Sequence, residues 1–188
     1  MRTAHSTAST ADRMPMPTES AKPFLRLVLD TNVWLDWLVF ADPDIAAIRE
    51  GVAARRIEIV IDAPCEAELV RVLEYRFGRR TLDDSMKLSC LVECHRLARR
   101  TEAALSELRR MQLPRCRDPD DQKFVELALA ANADHLITRD RALLEMSHRC
   151  DPSRRAPALA ITTPKQFPAR AMQRHSNALG SAQEAPTL

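Results

Sequence analysis

The chain has 188 residues, of which 45% are hydrophobic and 29% charged, with a formal net charge of +2. That length suffices for one ordinary domain with its own core. No apolar run approaches the roughly 20 residues needed to span a bilayer, so membrane insertion is not expected. Arginine greatly outnumbers lysine, and a planar guanidinium suits phosphate and base faces better than an ammonium does. Nucleic acid is therefore an admissible partner.

Residues 1–22 are rich in Ser, Thr, Ala and Pro and have no apolar h-region, which argues against a secretory signal. Their basic, Ser-rich character is shared with transit peptides, but a disordered tail is the expectation. The folded unit is expected over 23–168. A second flexible tail is expected over 169–188, where apolar patterning fades. Within the folded unit, short runs rich in Val, Ile and Leu at 24–29, 57–61, 135–138 and 158–162 read as strands. Longer stretches at 44–55, 64–77, 82–100 and 119–131 carry apolar residues at helical spacing, and 141–146 reads as a short helix. This alternation predicts a three-layer α/β/α sandwich around a mainly parallel sheet, with its ligand crevice outside the carboxyl ends of the strands.

Acidic residues recur at those ends. Asp30 follows the first strand and Asp140 follows the 135–138 strand; each could serve as a helix N-cap. Asp118, Asp120 and Asp121 surround Pro119 at the start of a helix, where capping and dipole complementarity would explain all three. In the 64–77 helix, Glu66 and Glu68 flank the apolar stripe of Cys65, Leu69, Val72 and Leu73, and helical geometry does not choose between them. The five cysteines lack a Cys-x-x-Cys pair, which fits a reducing cytosol. Cys90 and Cys94 beside His95 read as packed thiols ahead of a metal site. The arginine clusters at 76–80, 96–100 and 109–117 read either as solvated, ion-paired helix faces or as a grip on a nucleic-acid strand.

The series LDTNVW, then E-L-x-x-V-L, then CRDPDDQKFVELALAANADHLITRD, then ITTPKQF resembles the PIN-domain nucleases, particularly the toxin components of bacterial toxin-antitoxin pairs. The resemblance covers about residues 24–168. It implies that Asp30, Glu68, Asp121 and Asp140 form the acidic site, with Glu68 preferred to Glu66 by the spacing of the leucines and valine that follow. Asp118 is implied as an additional acidic position, and Asn32 and Thr138 as the polar residues that support the carboxylates. It further implies an RNA substrate, an antitoxin partner that blocks the crevice, and a homodimer; the cysteine usage favours a cytoplasmic location.

Crowded carboxylates raise one another's pKa, and a hard cation relieves that conflict. Mg²⁺ or Mn²⁺ is the expected cofactor, with Asp30 and Asp121 as primary ligands, Asp140 as a ligand or second-site ligand, and Glu68 either orienting a water or holding a metal through water. The expected reaction is endonucleolytic hydrolysis of single-stranded RNA. Trp34 and Trp37 could stack on the strand, but among apolar neighbours they read first as core or dimer interface. Two other readings compete. A phosphatase of the haloacid-dehalogenase type would need a second aspartate two residues after Asp30, where the chain has Asn32. A non-catalytic domain that binds RNA or protein is the other.

Overall fold

The computed structural model describes residues 24–77, 81–147 and 159–168. The expected tails at 1–22 and 169–188 lie outside the described residues, as do Arg79, Arg80, Cys150 and the first position of the 158–162 strand. Five strands, β1 (Leu25–Leu29), β2 (Ile57–Ile61), β3 (Ala98–Arg100), β4 (His135–Ile137) and β5 (Ala160–Thr162), form one sheet in the order β3-β2-β1-β4-β5. Every neighbouring pair is parallel. The expected layered α/β sandwich with a parallel sheet is therefore present.

The central strands are apolar on both faces because helices cover both. Leu27, Val28 and Leu29 of β1, Ile59, Val60 and Ile61 of β2, and Leu136 and Ile137 of β4 are all buried. The helices are α1 (Thr31–Leu35), α2 (Ala46–Ala53), α3 (Ala63–Leu73), α4 (Asp84–Leu97), α5 (Glu107–Met111), α6 (Gln122–Ala130) and α7 (Arg141–Met146). A π-helical turn, Asp36–Phe40, continues α1, and short 3₁₀ turns at Pro43–Ile45 and Pro119–Asp121 lead into α2 and α6. Gly51 of α2 lies so close to β2 that an added Cβ would stand 2.2 Å from the Ile57 side chain. The close helix-to-strand approach there depends on its missing side chain. Among the described residues no helix is long and apolar enough to cross a membrane.

One expected element differs. The 82–100 helix ends at Leu97, and Ala98–Arg100 is an edge strand. Only Ala98 of the three is buried, and Arg99 and Arg100 are exposed. The strand therefore has no apolar run to announce it. It is held instead by backbone pairing to β2 and by an ion pair from Arg99 Nε to Glu58 at 2.9 Å. The 64–77 helix likewise stops earlier, at Leu73.

Trp34 and Trp37 pack inside the core, 2% and 9% exposed, with ring centroids 6.3 Å apart. Neither ring is available to stack on a nucleic acid. Cys90 and Cys94 are buried free thiols. Burial pushes Cys94 up to about 12, with the Glu66 charge adding to the effect, as expected of a thiol packed in the core. His95 faces outward to Glu66.

Candidate active site

From β1 the chain winds outward to β2 and β3, then returns to the other side of β1 as β4 and β5. The β1/β4 boundary is thus the switch point, where connections leave in opposite directions and strand ends open a crevice. Asp30 leaves β1 at that point, and its backbone N–H donates to Ile137 O at 3.0 Å. Thr138 and Asp140 leave β4 beside it.

Asp30 is 2% exposed. Its Oδ1 accepts from the Val33 backbone N–H at 2.9 Å, capping α1, and its Oδ2 accepts from the Thr138 hydroxyl. The Thr138 oxygen in turn accepts from the Asp140 backbone N–H at 2.8 Å. Asp140 caps α7 through Oδ1, which takes the N–H groups of Ala142 and Leu143 at 2.6 and 3.1 Å. Its Oδ2 accepts no hydrogen bond from the described residues. The capping role foreseen for both aspartates is real, and at Asp140 it leaves half of the carboxylate open.

The proline-flanked acids divide their tasks. Asp118 is exposed and caps the 3₁₀ turn, accepting from the Asp120 N–H at 2.9 Å. Asp121 is half-buried and caps nothing. Burial first, and then the charges of Asp140, Asp118 and Glu68, push the Asp121 carboxyl up from 3.8 to about 6. Asp30 is likewise pushed up to about 6, chiefly by burial, with the Asp121 charge adding to it and the Thr138 and Val33 hydrogen bonds opposing it. Asp30, Asp121, Asp140 and Glu68 therefore share one electrostatic neighbourhood. Their side chains are not gathered tightly: among the described residues no three acidic, His or Cys groups converge on a point that would hold one ion.

Glu66 and Glu68 point to different surroundings. Glu68 Oε1 accepts from the Thr31 hydroxyl at 3.1 Å, and Oε2 pairs with the Lys123 ammonium by charge, without hydrogen-bond geometry. Glu66 pairs with His95 Nε2 at 2.8 Å and Arg100 at 3.3 Å, on the side of α4 and β3. Thr31 and Lys123 escaped the sequence reading. Their only signal was closeness in sequence, Thr31 next to Asp30 and Lys123 two residues after Asp121, and they meet Glu68 because α3 packs against both α1 and α6. Asn32, expected to support the carboxylates, is exposed and makes no hydrogen bond to them among the described residues; Thr31 and Thr138 do the supporting.

Several guanidinium groups on this side of the molecule are already engaged. Arg139, between Thr138 and Asp140, turns to Asp36, Asp42 and Asp44 at 2.5, 3.1 and 3.3 Å. Arg96, Arg99, Arg100 and Arg110 pair with Glu93, Glu58, Glu66 and Glu126. For these arginines the ion-paired helix-face reading is the one seen.

A family model described as the PIN domain matches residues 26–142. The chain belongs to the PIN domain family. Members of the family are generally nucleases and generally use divalent metal ions. The matched segment runs from β1 into α7, so this PIN domain contains Asp30, Glu68, Asp121 and Asp140. It is similar to a solved structure, VapBC2 from Rickettsia felis bound to a DNA fragment from their promoter, at 17% identity. The likeness covers 74% of this chain and 98% of that chain, with a TM-score of 0.49. No curated protein matches the chain.

Proposed function

We propose that this PIN domain is a divalent-metal-dependent endoribonuclease that hydrolyses phosphodiester bonds of single-stranded RNA, acting in the cytoplasm as the toxin of a toxin-antitoxin pair. The observation that carries the nuclease reading is an excess of negative charge at the β1/β4 switch point. Two aspartates there are pushed up to about 6 by burial and by neighbouring carboxylates, while Lys123 supplies the ammonium that pairs with Glu68.

The donor set fits a hard cation, since these residues offer carboxylate oxygens and hydroxyls. Asp30, Asp121 and Asp140, which do not converge on one point among the described residues, would have to draw together to hold Mg²⁺ or Mn²⁺, with Asp118 at the rim. Such an ion supplies Lewis acidity at the scissile phosphate and acidifies a water.

The chain's own groups do the rest. Thr138 orients Asp30 by donating to Oδ2 and positions Asp140 by accepting its N–H. Capping holds Asp140 through Oδ1 and leaves Oδ2 without a hydrogen-bond donor among the described residues. Glu68, held by Thr31 and Lys123, is placed to orient the attacking water as a hydrogen-bond acceptor.

The toxin role, the covering antitoxin and the homodimer rest on the motif resemblance. The nuclease reading is tested with a labelled single-stranded RNA and its DNA counterpart in Mg²⁺, Mn²⁺ or chelator. Internal cutting of RNA in either metal, none in chelator, and intact DNA are the expected results. Cutting that persists in chelator contradicts it.

A further inference from the structure

Along the same edge of the sheet, a cavity of about 290 Å³ opens where β2 and β3 end. Asp62, which caps α3, and Arg100 and Thr101, which close β3, form one side of it. Arg110 of α5 and Glu126 of α6 form the other, joined by an ion pair at 3.1 Å. Its apolar surface comes from small or compact residues, among them Ala63, Leu127 and Ala130. Lys123 lies in its wall. Because the same ammonium pairs with Glu68, Lys123 is shared between the cavity wall and the acidic site.

The charges lining the cavity are balanced: Arg100, Arg110 and Lys123 against Asp62, Glu102 and Glu126, three of each sign. A neutral wall gains little from a phosphate, whose binding depends on excess cationic charge. It does set ion-paired donors and acceptors around a small apolar surface. That is the complement of a nucleobase, which presents donors and acceptors on its edge and an apolar face. The volume is at the low end for ligand pockets and suits one base rather than several.

We infer that this cavity receives one unstacked nucleobase of the RNA strand next to the cleaved bond and sets the base preference of the enzyme. The inference rests on the ribonuclease reading, but its test does not need cleavage. Four fluorescent single-stranded RNA hexanucleotides, all-A, all-C, all-G and all-U, are titrated in chelator against the full chain, Glu126→Gln and Ala130→Leu. The wild type is expected to bind its preferred hexamer about fivefold or more tightly than its poorest, and both variants are expected to narrow that spread to about twofold. Glu126→Gln is isosteric and decides the matter if the bulkier Ala130→Leu disturbs folding. Equal binding of all four, binding of none, or a preference that survives the substitutions overturns the inference. Manganese-dependent cutting is read separately. Cutting without base preference sinks the cavity assignment alone, and base preference without cutting sinks the nuclease reading alone.

Discussion

Thr138 at the end of β4 donates its hydroxyl to Asp30 at the end of β1, and the same oxygen receives the backbone N–H of Asp140. One buried hydroxyl thus ties together the two aspartates that leave neighbouring parallel strands. Thr138→Val keeps the shape and removes the donor, leaving Asp30 Oδ2 and the Asp140 N–H without this partner. It is expected to cost about 1–3 kcal/mol of stability in chemical denaturation. RNA cleavage should fall by about 10–100-fold. Thr138→Ser, which restores the hydroxyl, should recover most of both; equal losses in the two variants would show that the methyl group, not the hydrogen bonds, matters.

The two raised carboxyls make metal-free stability depend on pH with a definite sign. Asp30 and Asp121 hold protons in the native state up to about pH 6, whereas in the unfolded chain they release them near 3.8. Between those values the native state binds more protons, so the contribution of these groups to stability falls as pH rises and is lowest above about 6. For buried Asp30 the loss is on the order of 3 kcal/mol; half-exposed Asp121 contributes less. In chelator at neutral pH, Asp30→Asn should therefore be more stable than wild type, and below pH 4 the advantage should vanish. Asparagine also serves as an N-cap, so the α1 cap is retained. Denaturation curves across pH 4–8 check this, and an Asp30→Asn protein less stable than wild type at neutral pH would refute it.

Glu66 and Glu68 differ in what they touch, so their amides should differ in effect. Glu68→Gln is expected to lower single-turnover cleavage about 100-fold or more by weakening its hold on the attacking water. Glu66→Gln loosens ion pairs to exposed His95 and Arg100, which costs under about 1 kcal/mol, and should leave cleavage unchanged. A reversal of the two results would return the catalytic role to Glu66.

The tryptophans serve the core. Trp34→Ala should destabilise by about 3–5 kcal/mol in urea denaturation. The milder Trp37→Phe should lower the melting temperature and leave RNA affinity unchanged. A selective loss of RNA binding in Trp37→Phe would place that ring on the substrate path.

The strands that carry the site were legible because β1, β2 and β4 are buried on both faces and so read as runs of Leu, Ile and Val. Strand β3 was not, since two of its three residues are exposed arginines, held by backbone pairing to β2 and by Glu58 at Arg99 and Glu66 at Arg100. Asp30 and Asp140 could be read from local sequence as strand-end residues and as helix caps, whereas the bridge between them through the Thr138 oxygen needed coordinates. The partners of Glu68 were illegible for a different reason: Thr31, Glu68 and Lys123 lie on three helices whose meeting is a tertiary event with no trace in any one helix's periodicity. Asn32, next to Thr31, turned out to be the exposed member of that pair, because α1 buries Thr31 and Val33 on either side of it.

The most direct measurement is Mn²⁺-dependent cleavage of one defined single-stranded RNA by wild type, Asp30→Asn and Asp121→Asn, with Mn²⁺ affinity read by calorimetry on the same preparations. Wild type should bind the ion and cut, while both variants should lose cutting and bind Mn²⁺ at least about tenfold more weakly. Undiminished cutting and affinity in both variants would contradict a metal-dependent nuclease site at the β1/β4 boundary.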